Sequence, residues 1–326
     1  MRTPSLHLLP TSTTRAALIA PSHRARASIA HTDLRRAYVV PNATSFRATQ
    51  PQRTVASPRL EHLGDASYAE RIGLYTMASQ GTGYDLSAST YSPDGRIFQI
   101  EYAAKATENA GTAIAIKTKT GVVVAVEKLV QSKLLVPGSN RRIYNVAPHI
   151  GIVSAGLIAD GKHLASRARS EAVSHLDNYR FAAPVKTLAD RVAYYVQAYT
   201  LYSSVRPFGV SAIIAGIDNI KGPQIYMIEP SGVFWGYNGC AVGKGRQLAK
   251  TEIEKLDLDT LSMQDAVEAA AKIIYKVHDD AKDKEFELEL SWIGPESNGV
   301  HTAVPEDLRA EAISKAKEAL DDEMED

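Results

Sequence analysis

The feature that most constrains this chain is the order in which two apolar periodicities succeed one another. Residues 111–116 and 121–126 are short runs rich in β-branched side chains, joined by a polar link at 117–120, with little apolar/polar alternation. Such runs read as a hairpin of strands covered on both faces. A second pair lies at 143–146 and 149–155 around Pro148. Gly156 then interrupts, and Leu157, Ala159, Leu164, Ala168 and Ala172 take up helical spacing; past Pro184, Leu188, Val192, Tyr195, Val196 and Tyr199 mark one face of a second helix. Arg206, Pro207, Phe208 and Gly209 break it. Strands at 210–215 and 224–228 flank a turn at 218–222, and Gly232, Gly236 and Gly239 punctuate two shorter ones. Helices return at 246–256 and 262–278, the latter with a stripe of Met263, Val267, Ala270, Ala271, Ile274 and Val277. Phe286, Leu288, Leu290 and Trp292 alternate as a strand, and Pro305 opens a last helix. Strands, two helices, strands, two helices, strand, helix: such blocks exclude a regularly alternating parallel fold. They favour an α+β architecture of two packed sheets with helices outside.

Composition narrows the function classes. The formal net charge is zero, so no basic excess points to nucleic acid or to an anionic membrane. The single cysteine, Cys240, forms no intrachain disulfide, suits a reducing compartment and reads as a small core residue. His149, His163, His175, His278 and His301 share no metal-ligand spacing. Residues 239–245 carry glycines but lack the spacing and the Ser or Thr of a phosphate loop, and read as a turn feeding a helix. No cofactor is expected.

The first quarter differs in kind. Residues 1–60 hold nine arginines, no lysine and one acidic residue, Asp33. That is the composition of an organellar transit peptide, or of a disordered leader, or of sequence upstream of the true start. Met77 is the expected start of the mature chain.

Between leader and sandwich lies a bipartite stretch, 81–104. Its polar lead contains Gly81 and Gly83, and Ser92, Pro93, Asp94 and Gly95 form a turn, since proline presets φ and glycine supplies φ > 0. Ile97, Ile100, Glu101, Ala104 and Lys105 then recur at helical spacing, with Phe98 and Tyr102 on a neighbouring stripe. So short a helix is marginal alone. By pattern it either caps its own core or packs against other copies.

The run 83–103, with its GYDLSASTYSPDGRIFQIEYA pattern, resembles the N-terminal signature of the proteasome α subunits, and residues 200–216 and 286–294 are similar to later segments of that family in the same order. The resemblance covers about residues 77 to 321. It implies the four-layer αββα sandwich of the N-terminal nucleophile hydrolases with an extra N-terminal helix, in agreement with the block order. The implied divisions are a leader at 1–76, a gate segment and helix at 77–107, the αββα domain at 108–304, and a C-terminal helix with an acidic tail at 305–326.

Such hydrolases use the free amine of an N-terminal Thr, Ser or Cys as base. Aligning the first strands places Gly111, not Thr112, at the nucleophile position, behind the 34 residues from Met77. Glu127 then has nothing to orient, and Arg142, which stands in place of a tuning lysine, cannot act as a base at neutral pH. The resemblance therefore implies a non-catalytic subunit in a ring with six other α subunits above a β ring, in cytoplasm and nucleus, serving ubiquitin-dependent protein degradation. Heterologous ring contacts close only when the rotation per subunit fits. The resemblance assigns gating to Gly81, Thr82, Gly83, Tyr84 and Asp85 with Pro93 fixing the turn, and ring contact to Phe98, Gln99, Glu101 and Tyr102. It assigns to Arg142 and Gly156 a pocket for the tails of regulatory-particle ATPases or other activators. Leu86 departs from the family's usual arginine, so no link from Asp to Arg between neighbouring arms forms from this side, while Tyr84 can donate to a neighbour's Asp. Two rival readings are an active threonine hydrolase released by cleavage before Thr112, and an organellar scaffold that uses the leader.

Overall fold

The computed structural model describes residues 83–136, 138–279 and 285–325. The leader and the start of the gate segment, including Gly81 and Thr82, lie outside the described residues.

The chain enters through the turn at residues 92–95. Gly95 (φ +77°) donates its N–H to the Ser92 carbonyl at 2.9 Å, and Ser92 Oγ accepts the Arg96 N–H at 3.0 Å. Helix α1 (Phe98–Glu108) follows. Strands β1 (Ala113–Lys117), β2 (Val122–Leu129), β3 (Ile143–Ala147) and β4 (Ile150–Gly156) come next. Then come helices α2 (Ile158–Tyr179) and α3 (Val185–Ala198), and strands β5 (Val210–Asp218), β6 (Gly222–Ile228), β7 (Phe234–Tyr237) and β8 (Gly239–Val242). Helices α4 (Arg246–Glu254) and α5 (Met263–Val277), strands β9 (Phe286–Ile293) and β10 (Thr302–Ala303), and helix α6 (Glu306–Glu325) complete the order.

Among the described residues these strands form two five-stranded antiparallel sheets, ordered β10-β9-β2-β1-β8 and β3-β4-β5-β6-β7. Their central strands lack the alternation of a half-solvated sheet because they bury both faces, β1 and β2 in one sheet and β4 and β5 in the other. Ala113 and Ala115 of β1 face the other sheet, in a shared core with Val124, Val153, Ile213 and Cys240. Ile114 and Ile116 point the other way, among Ala249, Val267, Ile274 and Ala316 of α4, α5 and α6. The second sheet does the same with α2 and α3, through Ile152, Ile214, Leu164, Leu188 and Val192. The four layers αββα follow from that double burial, each fully buried Ile contributing about 1.5–3 kcal/mol.

Local signals set several ends. The Ser262 hydroxyl caps α5 by accepting the Asp265 N–H at 3.1 Å. Arg180, in the left-handed region (φ +64°), stops α2. Three expected patterns are corrected. Leu157 and Ala159 are exposed, because α2 meets the sheet only from Asp160 onward. The alternation read in β9 ends after Leu290, since Ser291 and Ile293 are buried as well. And α1 buries Phe98, Ala103 and Thr107, leaving Ile97, Ile100, Glu101 and Ala104 half-buried and Lys105 exposed. The helix lies against β4 and β5 of its own sandwich with one stripe only.

Candidate functional site

Two neighbouring regions carry the residues singled out above. The first is the arm at residues 83–97 with the helix behind it. Gly83 has φ +97°, a conformation that side chains resist. Asp85 is tied to α1 twice: its carbonyl accepts from Gln99 Nε2, and its carboxylate accepts from the Tyr102 hydroxyl at 3.3 Å. Partial desolvation and the Asp85 charge hold the Tyr102 phenol above the usual tyrosine range. Arg96 donates from Nε to Glu101 at 2.7 Å and lies over the Phe98 ring, whose neighbour is Tyr102 at 6.3 Å. The Arg96 hydrogen bonds lower the Glu101 carboxyl, but a pair so exposed adds little stability and chiefly orders the arm. Tyr84, Leu86 and Tyr91 face outward, Leu86 at 87% exposure. Pro93 is exposed at the turn. Of the expected arm and helix residues, the structure thus joins Asp85, Gln99 and Tyr102, and leaves Tyr84 open to an outside partner.

The second region is the end of the sandwich where α1 joins β1. A Cβ at Gly111 would stand 2.4 Å from the Glu127 carbonyl oxygen, so no side chain fits there. Thr112 is buried, with its Oγ1 accepting the Gly245 N–H at 3.1 Å. Glu127 requires a correction. Far from lacking an object, its buried carboxylate accepts the Thr112 N–H at 2.8 Å and meets Lys244 Nζ at 3.3 Å and His278 Nδ1 at 2.6 Å. Burying such a polar group is tolerated only when its oxygens are hydrogen-bonded, as they are here.

Arg142 and Gly156 are brought together: the guanidinium donates from Nη1 to the Gly156 carbonyl at 2.8 Å. Burial lowers the arginine's pKa, and its backbone N–H donates to the Glu289 carboxylate at 2.9 Å. Gly156 (φ +132°) has no room for a Cβ, which would lie 2.2 Å from the Gly209 carbonyl. Close by in sequence, Asp160 accepts two hydrogen bonds from Arg206, at 2.7 and 3.0 Å, and a third from the Gly209 N–H at 2.9 Å. Burial pushes the Asp160 carboxyl up, but the Arg206 and Gly209 hydrogen bonds outweigh it and hold it below the usual range. Cys240 is fully buried, its thiol pushed up to about 12 by burial. Among the described residues no cluster of three His, Cys, Asp or Glu side chains could hold a metal ion.

Residues 107–293 match the proteasome subunit family, and residues 84–106 match the N-terminal signature of A-type proteasome subunits. The chain belongs to the proteasome α-type subunit family. Its relatives include proteasome subunit alpha type-3 of Acanthamoeba castellanii, 57% identical over 245 residues, which are 75% of this chain and 97% of that protein. The Arabidopsis thaliana protein of the same name is 57% identical over 246 residues, 76% and 98% of the two chains. The probable proteasome subunit alpha type-7 of Schizosaccharomyces pombe is 54% identical over 250 residues, 77% and 98%. The signature falls on the arm and α1, so the segment tied together by Asp85, Gln99 and Tyr102 is the one that marks an α-type chain.

Sequence reasoning missed two groups in this α-type chain: Lys244 and His278 around Glu127, and the Asp160–Arg206 pair. Both join residues far apart in the chain, with a separation of 151 positions from Glu127 to His278 and of 46 from Asp160 to Arg206. The one available signal was an isolated acidic residue at 127 following an apolar run and, by the same token, an Asp at the opening of α2.

Proposed function

We propose that this chain is a non-catalytic α-ring subunit of the 20S core proteasome. It builds the ring with other α subunits and the β ring, and its arm takes part in closing the channel through which substrates reach the interior. The observation that carries this reading is the contrast between the two regions. The arm is held to α1 by Asp85 while presenting Tyr84 and Leu86 outward, whereas Gly111 fills the nucleophile position with no space for a side chain. Cleavage before Thr112 would free an amine against the Glu127 carboxylate, but the hydroxyl beside it is buried and engaged by Gly245. That supports a structural rather than a hydrolytic role.

Docking of activator tails at Arg142 belongs to the same reading, with the Gly156 carbonyl already competing for the guanidinium. Participation in ubiquitin-dependent degradation, and residence in cytoplasm and nucleus, follow from the assembly. The test is a particle purified from cells in which this chain lacks all residues through Asp85. Basal hydrolysis of a short fluorogenic peptide should rise relative to the parent particle. An unchanged basal rate in an intact particle contradicts the gating role.

A further inference from the structure

We propose that the buried carboxylate of Glu127 sets the angle at which α1 leaves the sandwich, and through it the position of the arm. The inference rests on the gating reading and concerns how the arm is held. The two oxygens of Glu127 do different work. Oε2 accepts the N–H of Thr112, just after the helix exit, whereas Oε1 meets Lys244 Nζ and His278 Nδ1. Lys244 in turn reaches back with its own N–H, which donates to the Ala110 carbonyl at 3.0 Å. Its neighbours act on the same short segment. The Gly245 N–H donates to Thr112 Oγ1, and Arg246 Nη2 pairs with Glu108 Oε1 at 2.9 Å. One turn, residues 243–246, therefore grips the chain on both sides of Gly111, and Glu127 fixes the lysine of that turn.

The joint has little slack. A Cβ at Gly243 (φ +104°) would lie 2.7 Å from the Gly111 carbonyl oxygen, and one at Gly245 would lie 1.7 Å from Val277 Cγ1. By contrast α1 itself is lightly seated, with Phe98, Ala103 and Thr107 as its buried residues. Eleven helical residues span about 16 Å, so a rotation of about 5° at the joint moves the far end by about 1.4 Å. Asp85 hangs on that far half through Gln99 and Tyr102, and hydrogen bonds break over shifts smaller than this.

Charge and acceptor count, rather than size, define the role. A glutamine at 127 has the same shape but one acceptor oxygen, and presents an NH₂ donor where the site needs a second acceptor. Either Thr112 or Lys244, both of which can only donate, must lose its partner.

The experiment uses purified particles carrying Glu127→Gln, compared with Ser291→Ala, which removes a buried hydrogen bond to His301 that touches neither the arm nor the turn. Glu127→Gln should assemble and raise basal short-peptide hydrolysis several-fold, with the activator-stimulated maximum unchanged. Ser291→Ala should lower the melting temperature and leave the basal rate alone. Lys244→Met is the second variant should Glu127→Gln fail to assemble, with the same expected rise. A parent-like basal rate in both Glu127→Gln and Lys244→Met, alongside a raised rate in the arm deletion, overturns this inference alone. An arm deletion with a parent-like rate overturns the gating reading and this inference with it.

Discussion

Replacing Asp160 tests whether its half-buried ion pair with Arg206 holds the segment at 201–209 against α2. The carboxylate is 11% exposed and the guanidinium 61% exposed, with two hydrogen bonds at 2.7 and 3.0 Å. Two unit charges at such range gain about 4 kcal/mol near a protein surface but about 1 kcal/mol in water. The exposure of Arg206 moves the value toward the lower limit, and we expect Asp160→Asn to cost about 2 kcal/mol. Asparagine keeps an oxygen for the buried Gly209 N–H, whereas Asp160→Ala leaves that donor unsatisfied, at a further cost of about 1–2 kcal/mol. Urea unfolding of the purified chain, followed by the fluorescence of buried Trp292, measures both. A cycle with Arg206→Met isolates the pair, with an expected coupling of about 1–2 kcal/mol. An Asp160→Asn chain within about 0.5 kcal/mol of the parent, or a coupling of zero, refutes the reasoning.

Buried His301, between Asn145 Oδ1 at 2.6 Å and Ser291 Oγ at 3.0 Å, has its pKa lowered by burial to about 4. The unfolded chain takes up that proton near pH 6.5 and the folded chain does not, so this residue should remove about 1.4 kcal/mol of stability per pH unit as pH falls from about 6.5 to about 4. His301→Gln should flatten that slope in urea midpoints measured across the range; an identical slope counts against it. Cys240, fully buried with a thiol pushed up to about 12, should resist iodoacetamide at pH 8 in the folded chain and react once unfolded. Mass spectrometry reads the difference, and rapid native labelling contradicts it.

The layers were legible because doubly buried strands leave a clear mark: runs such as 122–126 have no polar face to show. The turn at 92–95 was legible for a local reason, since Pro93 and Gly95 state its geometry within four residues. The burial of α1 was not, because helical spacing marks two stripes equally and only the sheet it meets selects Phe98 and Ala103 over Ile100 and Ala104. Glu127 illustrates the same limit in the site. Its apolar neighbours on β2 foretell burial, yet the partners that make burial tolerable come from a turn and a helix end more than a hundred residues away. The steric exclusion at Gly111 likewise depends on the backbone of β2 lying across from it, which a register read from sequence does not supply.

On the reading proposed above, this chain works as one member of a multi-subunit barrel rather than as an enzyme by itself. Native mass spectrometry of the endogenous complex, captured through a tag on this chain, tests it most directly. The account predicts a stacked-ring particle many times the 35.3 kDa of the chain, containing this chain together with other α and β subunits. A stable free monomer as the principal species contradicts it.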